Sequence, residues 1–208
     1  MGERAKLRTG WLRWVGGLVV GLLVFTLLVF FSLPWLLIAS PDKPQPADVI
    51  LHTAIDARSK ADDYVVDLYR QGLGREVVCV SSQISWELYP GDFTRANLIE
   101  KGLPAESVSS LHMPITDCTA QGARVLAEHG QSKGWKRVLV VGHPDGSRFS
   151  WRVVRREFAK RGIEATLVYA PADERELRDG WWRTHWKVQR VVSAAMETTM
   201  NLLYPECR

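Results

Sequence analysis

The chain has 208 residues, 46% hydrophobic and 24% charged, a balance that excludes a disordered polymer and suits one folded domain plus an extra segment. Its net charge of +4 gathers at the start: Arg4, Lys6, Arg8 and Arg13 oppose only Glu3 within residues 1–40, while the rest carries 23 Lys and Arg against 22 Asp and Glu. A domain that close to neutral is not a nucleic-acid binder, which would carry its excess charge on the folded part.

Residues 1–14 form a basic tail, and residues 15–39, "VGGLVVGLLVFTLLVFFSLPWLLIA", contain no charge in 25 positions. At about 1.5 Å per residue this run exceeds the roughly 30 Å hydrocarbon core. It is also too long for the apolar region of a signal peptide, about 7 to 15 residues. The small-residue site "IAS" is followed at once by Pro41, a poor residue after a cleavage point. Trp11, Trp14 and Trp35 lie where interfacial aromatics sit, and the basic tail places the N-terminus in the cytoplasm. The expectation is a single-pass anchor that partners the lipid bilayer through residues 15–39.

Residues 40–47 then form a Pro-rich linker. The stretch "SPDKPQPAD" holds three prolines in nine residues, which favours an extended, semi-rigid spacer. The extracytoplasmic domain is expected over 48–208. Within it, apolar runs at 48–54, 76–82, 107–113, 137–143 and 164–170 alternate with longer segments. Apolar residues recur at helical spacing through Ala61, Val65, Leu68 and Tyr69 in 58–73, and through Ala120, Ala123 and Leu126 in 119–129. Between the second and third runs a long loop reaches Asp92 and Thr94. A closing helix over "THWKVQRVVSAAMETTMNLLY" shows helical spacing at Val188, Val191, Val192, Ala195 and Leu202.

This alternation implies an α/β fold with a doubly wound, mostly parallel five-stranded sheet, because strand–helix–strand crossovers are right-handed and place helices on both faces. Ligands of such sheets bind at the carboxyl ends of the strands, where strand order reverses. Four loops are thereby marked: Thr53, Asp56 and Arg58; Ser81, Ser82 and Gln83; Thr116, Asp117, Thr119 and Gln121; His143, Asp145, Ser147 and Arg148. Hydroxyls, helix N-termini and arginines suit a phosphate or carboxylate. Thr119 and Ser147 equally fit plain helix N-caps, and the arginines a solvated surface.

His143 and Asp117 are the catalytic candidates, with His143 either a general base or a packed, hydrogen-bonded side chain. His52, His112 and His143 fall on different strands, so no metal is expected. "QGLGREV" precedes a strand rather than opening a helix, so it is no dinucleotide fingerprint. No motif identifies a cofactor. In the helix after 148, Phe149, Val153, Val154 and Phe158 can face the sheet, while Arg152, Arg155, Arg156 and Arg161 point elsewhere. Cys79 reads as a buried mid-strand residue; Cys118 and Cys207 are the pair whose disulfide an oxidising compartment permits.

The stretches "ADVIL", "RSKADDYVVDLYRQG", "VVCVSS", "EKGLPAESV", "TDCTAQGA", "RVLVVGH" with a following Arg, and "WW" near the end occur in an order and spacing that resemble the DUF218 family, the SanA, ElyC and YdcF-like envelope proteins of bacteria. The resemblance spans roughly residues 47–204. It implies a Rossmann-like domain outside the bacterial inner membrane, with a part in envelope integrity and peptidoglycan or lipid-carrier metabolism. It also implies ligand-binding roles for Arg58, Ser81 and Thr119, with Asp92 where the family has a glutamate. The chain departs from the family at "HTAIDA", at Ser82 in place of a glycine, and at "GHPDGSRF". There Gly142, His143 and Gly146 replace the family's Thr, Ser and His, and Arg148 falls one position short of its arginine. The reading that follows is an envelope factor binding an anionic small molecule or envelope precursor. The alternative is an enzyme acting on a phosphorylated envelope intermediate.

Overall fold

The structure, a computed structural model, describes residues 3–55, 60–85, 87–116, 119–143, 147–178 and 180–204. The chain divides into two units at Leu36 and Leu37. The first is helical: α1 runs Glu3–Leu37, with Pro34 inside it. Its stretch Trp14–Leu37, 24 residues of mean hydropathy 2.5, is long and apolar enough to cross a membrane.

The second unit is an α/β fold with five strands: β1 (Val49–His52), β2 (Glu76–Ser82), β3 (Val108–Met113), β4 (Arg137–Val141) and β5 (Glu164–Val168). They form one all-parallel sheet in the order β3-β2-β1-β4-β5. Among the described residues six α-helices accompany them: α2 (Ala61–Arg70), α3 (Pro90–Glu100), α4 (Thr119–Ser132), α5 (Arg148–Ala159), α6 (Pro171–Arg178) and α7 (His185–Leu203).

Successive strand side chains point to opposite faces, and both faces are covered. Val49, Leu51, Val138 and Val140 pack with Leu126, Ala127 and Phe158 of α4 and α5. Ile50, Leu139 and Val141 pack with Val65, Leu68 and Leu98 of α2 and α3. Strands buried on both sides read as continuous apolar runs, as in β1, β2 and β4, whereas the edge strand β3, VSSLHM, is apolar at intervals and leaves Ser109 and His112 exposed.

The helices have local causes. Asp62 and Asp63 lie in the first turn of α2 and Arg70 in its last, each opposing the helix dipole. Gly72 then turns left-handed at φ 72°, and Leu73 donates back to the Leu68 carbonyl. The same stop follows α5, where Gly162 is left-handed and Ile163 donates to Phe158. The basic helix α5 buries Val153 and Phe158 and leaves Arg152, Arg155 and Arg156 outside. Glu157 is buried among them, with Lys160 Nζ at 2.5 Å and Arg161 Nη1 at 3.4 Å.

Two expectations are corrected. The loop reaching Asp92 and Thr94 is helix α3, opened by Pro90 with Asp92 in its first turn. Its buried face is Gly91, Thr94 and Leu98, too small and polar to register as an apolar repeat. The apolar run expected to span through Ala39 leaves its helix at Leu37, and Ile38, 1% exposed, joins the domain's core residues. Composition alone cannot separate a lipid-facing residue from a core one. The spacer before Asp48 has no helix or strand of its own and is held along the edge strand β5: Asp42 N donates to Leu167 O (2.7 Å), Leu167 N donates to Asp42 Oδ2 (2.9 Å), and Arg155 pairs with Asp42. The bonds satisfy part of an otherwise open sheet edge.

In α7, Val191 and Ala194 are buried whereas Val192 is exposed. Cys79 is a free, buried thiol; Cys118 and Cys207 lie outside the described residues.

Candidate functional site

Strand order reverses between β1 and β4, so the connections leaving these neighbours run to opposite faces and open a crevice at their carboxyl ends. Thr53 closes the floor: its N–H and its hydroxyl both donate to Val141 O, at 3.0 and 3.1 Å. Gly142 follows, its N–H donating to Val168 O. A side chain there would meet Leu167 Cδ1 at 2.9 Å and approach Thr53 Oγ1 to 4.0 Å, so glycine keeps the crevice floor open. Next to it stands His143, whose Nδ1 lies 3.2 Å from Arg190 Nη1 of α7. A guanidinium only donates, so Nδ1 accepts, and the proton of a neutral His143 ring sits on Nε2.

The loops after β3 and β4 are brought together by a carboxylate from α7. Thr119 Oγ1 donates to Glu197 Oε1 at 3.0 Å, and Ser150 Oγ donates to the same oxygen at 2.5 Å. Ser147 is the N-cap of α5: its Oγ accepts from Ser150 N at 3.0 Å and lies 2.7 Å from Ser150 Oγ. Arg148 Nε donates to Ile38 O at 2.9 Å. Thr119 and Arg148 therefore stand at the expected edge, held by partners from the chain's own ends.

Toward β2 and β3 the second group gathers. Ser81 is buried, and its Oγ accepts from Gly91 N at 2.9 Å, anchoring the start of α3; Ser82 beside it is exposed. Asp92 contacts His112 Nε2 at 3.0 and 3.1 Å, while the Tyr89 ring stacks on His112 at 3.8 Å. The His112 hydrogen bond, joined by one from Ser110, holds the Asp92 carboxyl below its ordinary range. Arg58 and Asp117 lie outside the described residues.

One buried set escaped the sequence reading. His52, fully buried at the end of β1, has Nε2 2.7 Å from Asp62 Oδ1, and Asn97 Nδ2 donates to Asp62 Oδ2. Burial pushes the Asp62 carboxyl up, but the His52 hydrogen bond and charge, with Asn97 and Lys101, outweigh it and leave the carboxyl below its usual value. Nδ1 of His52 has no hydrogen-bond partner. Arg190 and Glu197 were also missed. Their seven-residue spacing puts both on one face of α7, a signal that opposite charges at that spacing in a helix whose other charge is Lys187 could have supplied.

Among the described residues, no three His, Cys, Asp or Glu side chains cluster as metal ligands. No family model, curated protein or solved structure matches this chain.

Proposed function

We propose that the chain is a membrane-anchored bacterial envelope factor of the SanA, ElyC and YdcF type, with a Rossmann-like extracytoplasmic domain whose carboxyl-edge crevice binds an anionic ligand. The observation that carries this reading is the reversal of strand order between β1 and β4, with Thr53, Gly142, His143 and Arg190 gathered at that point. Ligands of parallel sheets occupy such reversals, and Arg190 with the N-termini of α4 and α5 supplies the charge an anion needs. The apolar stretch Trp14–Leu37 supports the anchor, with the basic tail on the cytoplasmic side.

The test is a thermal-unfolding series on the full chain in detergent micelles with inorganic pyrophosphate. Ligand at a hundredfold its Kd stabilises by about 2.7 kcal/mol. The wild type gains stability and Arg190→Gln does not; an equal response from both, or none from either, removes the anion reading. Resistance of the chain to alkaline carbonate extraction from membranes tests the anchor separately.

The enzymatic reading of the same crevice draws on one observation, the buried His52–Asp62 pair with an unpartnered ring nitrogen beside the crevice floor. Turnover of a phosphorylated envelope precursor, lost in His52→Gln, would establish it over simple binding.

A further inference from the structure

The exposed large hydrophobic residues of the α/β unit are distributed unevenly. Among the described residues, those outside the C-terminal segment are Ile84, Leu88, Phe93 and Ile115. All four follow the carboxyl ends of β2 and β3. Ile84 is 65% exposed, Phe93 64% and Ile115 76%. The remainder are Trp182 and the α7 positions Val192, Met196, Met200 and Leu203, with Tyr204 just past the helix. The α7 residues fall within about 80° of one another at 100° per residue. Between Arg190 and Tyr204 the sole charge on α7 is Glu197, turned inward to Thr119 and Ser150.

The opposite edge of the sheet is different. Its helix-to-strand turns bury their apolar residues Leu103, Trp135 and Ile163 and carry Arg75, Glu106, Lys133 and Lys136. A water-facing surface avoids gathering large apolar side chains; among the described residues one edge of this domain exposes none of them and the other exposes several.

The chain itself says which surface the apolar edge meets. Ile38 directly follows the last residue of α1 and pairs as an antiparallel bridge with Ser147, at the turn after β4. Arg148 holds the same residue through its carbonyl. The carboxyl edge is thus tethered within one or two residues, a few ångströms, of the end of the apolar stretch. From Ile38 the links run through Ser147 and Ser150 to Glu197 of α7, a path of roughly 20 Å at most.

We infer that the carboxyl edge of the sheet and the exposed stripe of α7 rest on the bilayer surface, so that the crevice opens at the lipid headgroups. The inference rests on the membrane-anchor half of the proposed function. Arg183 lies over the ring of Trp182 just before α7, and Lys187 and Arg190 over the ring of Trp186 within it, each cation within 6.0 Å of an indole ring centre. Indoles and basic residues at the start of α7 match the headgroup zone, where both residue types concentrate.

The test uses the full chain, with Cys118→Ser and Cys207→Ser, in lipid vesicles containing shallow nitroxide-labelled lipids. A polar fluorophore is placed through Val24→Cys, Ile115→Cys, Met196→Cys or Lys133→Cys. Quenching with a blue shift at 24, 115 and 196, and none at 133, is the expected result. Quenching at 24 alone overturns the docking and leaves the anchor intact. No quenching at 24 removes the anchor and the docking with it. A blue shift at 196 without lipid quenching, accompanied by disulfide dimers of Met196→Cys, assigns the stripe to a second copy and overturns the inference.

Discussion

Nε2 of His52 lies 2.7 Å from Oδ1 of Asp62, joining the end of β1 to the first turn of α2 beneath the crevice. Asp62→Ala leaves a fully buried imidazole without its acceptor, a loss of about 1–3 kcal/mol. Asp62→Asn retains an accepting oxygen and costs less. Denaturant midpoints of the full chain in micelles order the three as wild type, Asn, Ala; an Ala variant as stable as wild type contradicts the role.

Acid should destabilise the domain through a small set of carboxylates. Hydrogen bonds from the Arg137 and Lys136 backbone lower Asp48; for Glu157, burial raises the value, but Lys160, Arg161 and Arg124 bring it down overall. Asp62 and Asp92 are lowered as well. A carboxyl whose folded value lies below its unfolded one binds fewer protons when folded. Its contribution is therefore complete above the ordinary values of 3.8 for Asp and 4.5 for Glu, and is lost as pH falls through the lowered values. Denaturant midpoints ease down as pH falls through the ordinary histidine value of 6.5, because burial lowers the His129 imidazole, and drop more steeply below about 5 as the carboxylates protonate. Glu157→Gln lowers the plateau and makes the fall shallower.

Gly91 at the start of α3 and Gly142 on the crevice floor are both buried, yet alanine should affect them differently. A Cβ on Gly91 meets Ser81 Oγ at 2.7 Å and Cys79 O at 3.1 Å, and the backbone oxygen cannot yield. Gly91→Ala forces α3 away from β2, a cost of about 1–3 kcal/mol. A Cβ on Gly142 meets the terminal methyl of Leu167 at 2.9 Å and otherwise Tyr169 Cε1 at 3.5 Å, side-chain rather than backbone atoms, so Gly142→Ala folds with a smaller loss and narrows the crevice. Thermal unfolding of the two variants checks the order.

Burial, with the Asp62 charge beside it, pushes the Cys79 thiol up to about 12. Thiolate is the reactive form, so the Cys79 peptide stays unalkylated by iodoacetamide at pH 8 in the folded chain and reacts once urea unfolds it. Peptide mass spectrometry reads the difference directly; alkylation of the native protein at the unfolded rate would place Cys79 outside the core.

The apolar helix, the five strands and most helices that cover them are written in local patterns: an uncharged run, short apolar stretches, an apolar repeat closed by glycine. The sequence by itself also placed Ser81, Thr119, His143 and Arg148 at the carboxyl edge of the sheet, since parallel topology follows from strand–helix alternation. It missed α3, whose buried face is Gly91, Thr94 and Leu98, and it let the membrane run swallow Ile38. Only the tertiary structure decided which side chains meet. Thr119 finds Glu197 across 78 positions and Asp42 finds Leu167 across 125, contacts that no local periodicity encodes. The strand register and the return of α7 set those pairs, and so decided that the crevice is built around Thr53, His143 and Arg190, with Arg148 holding Ile38.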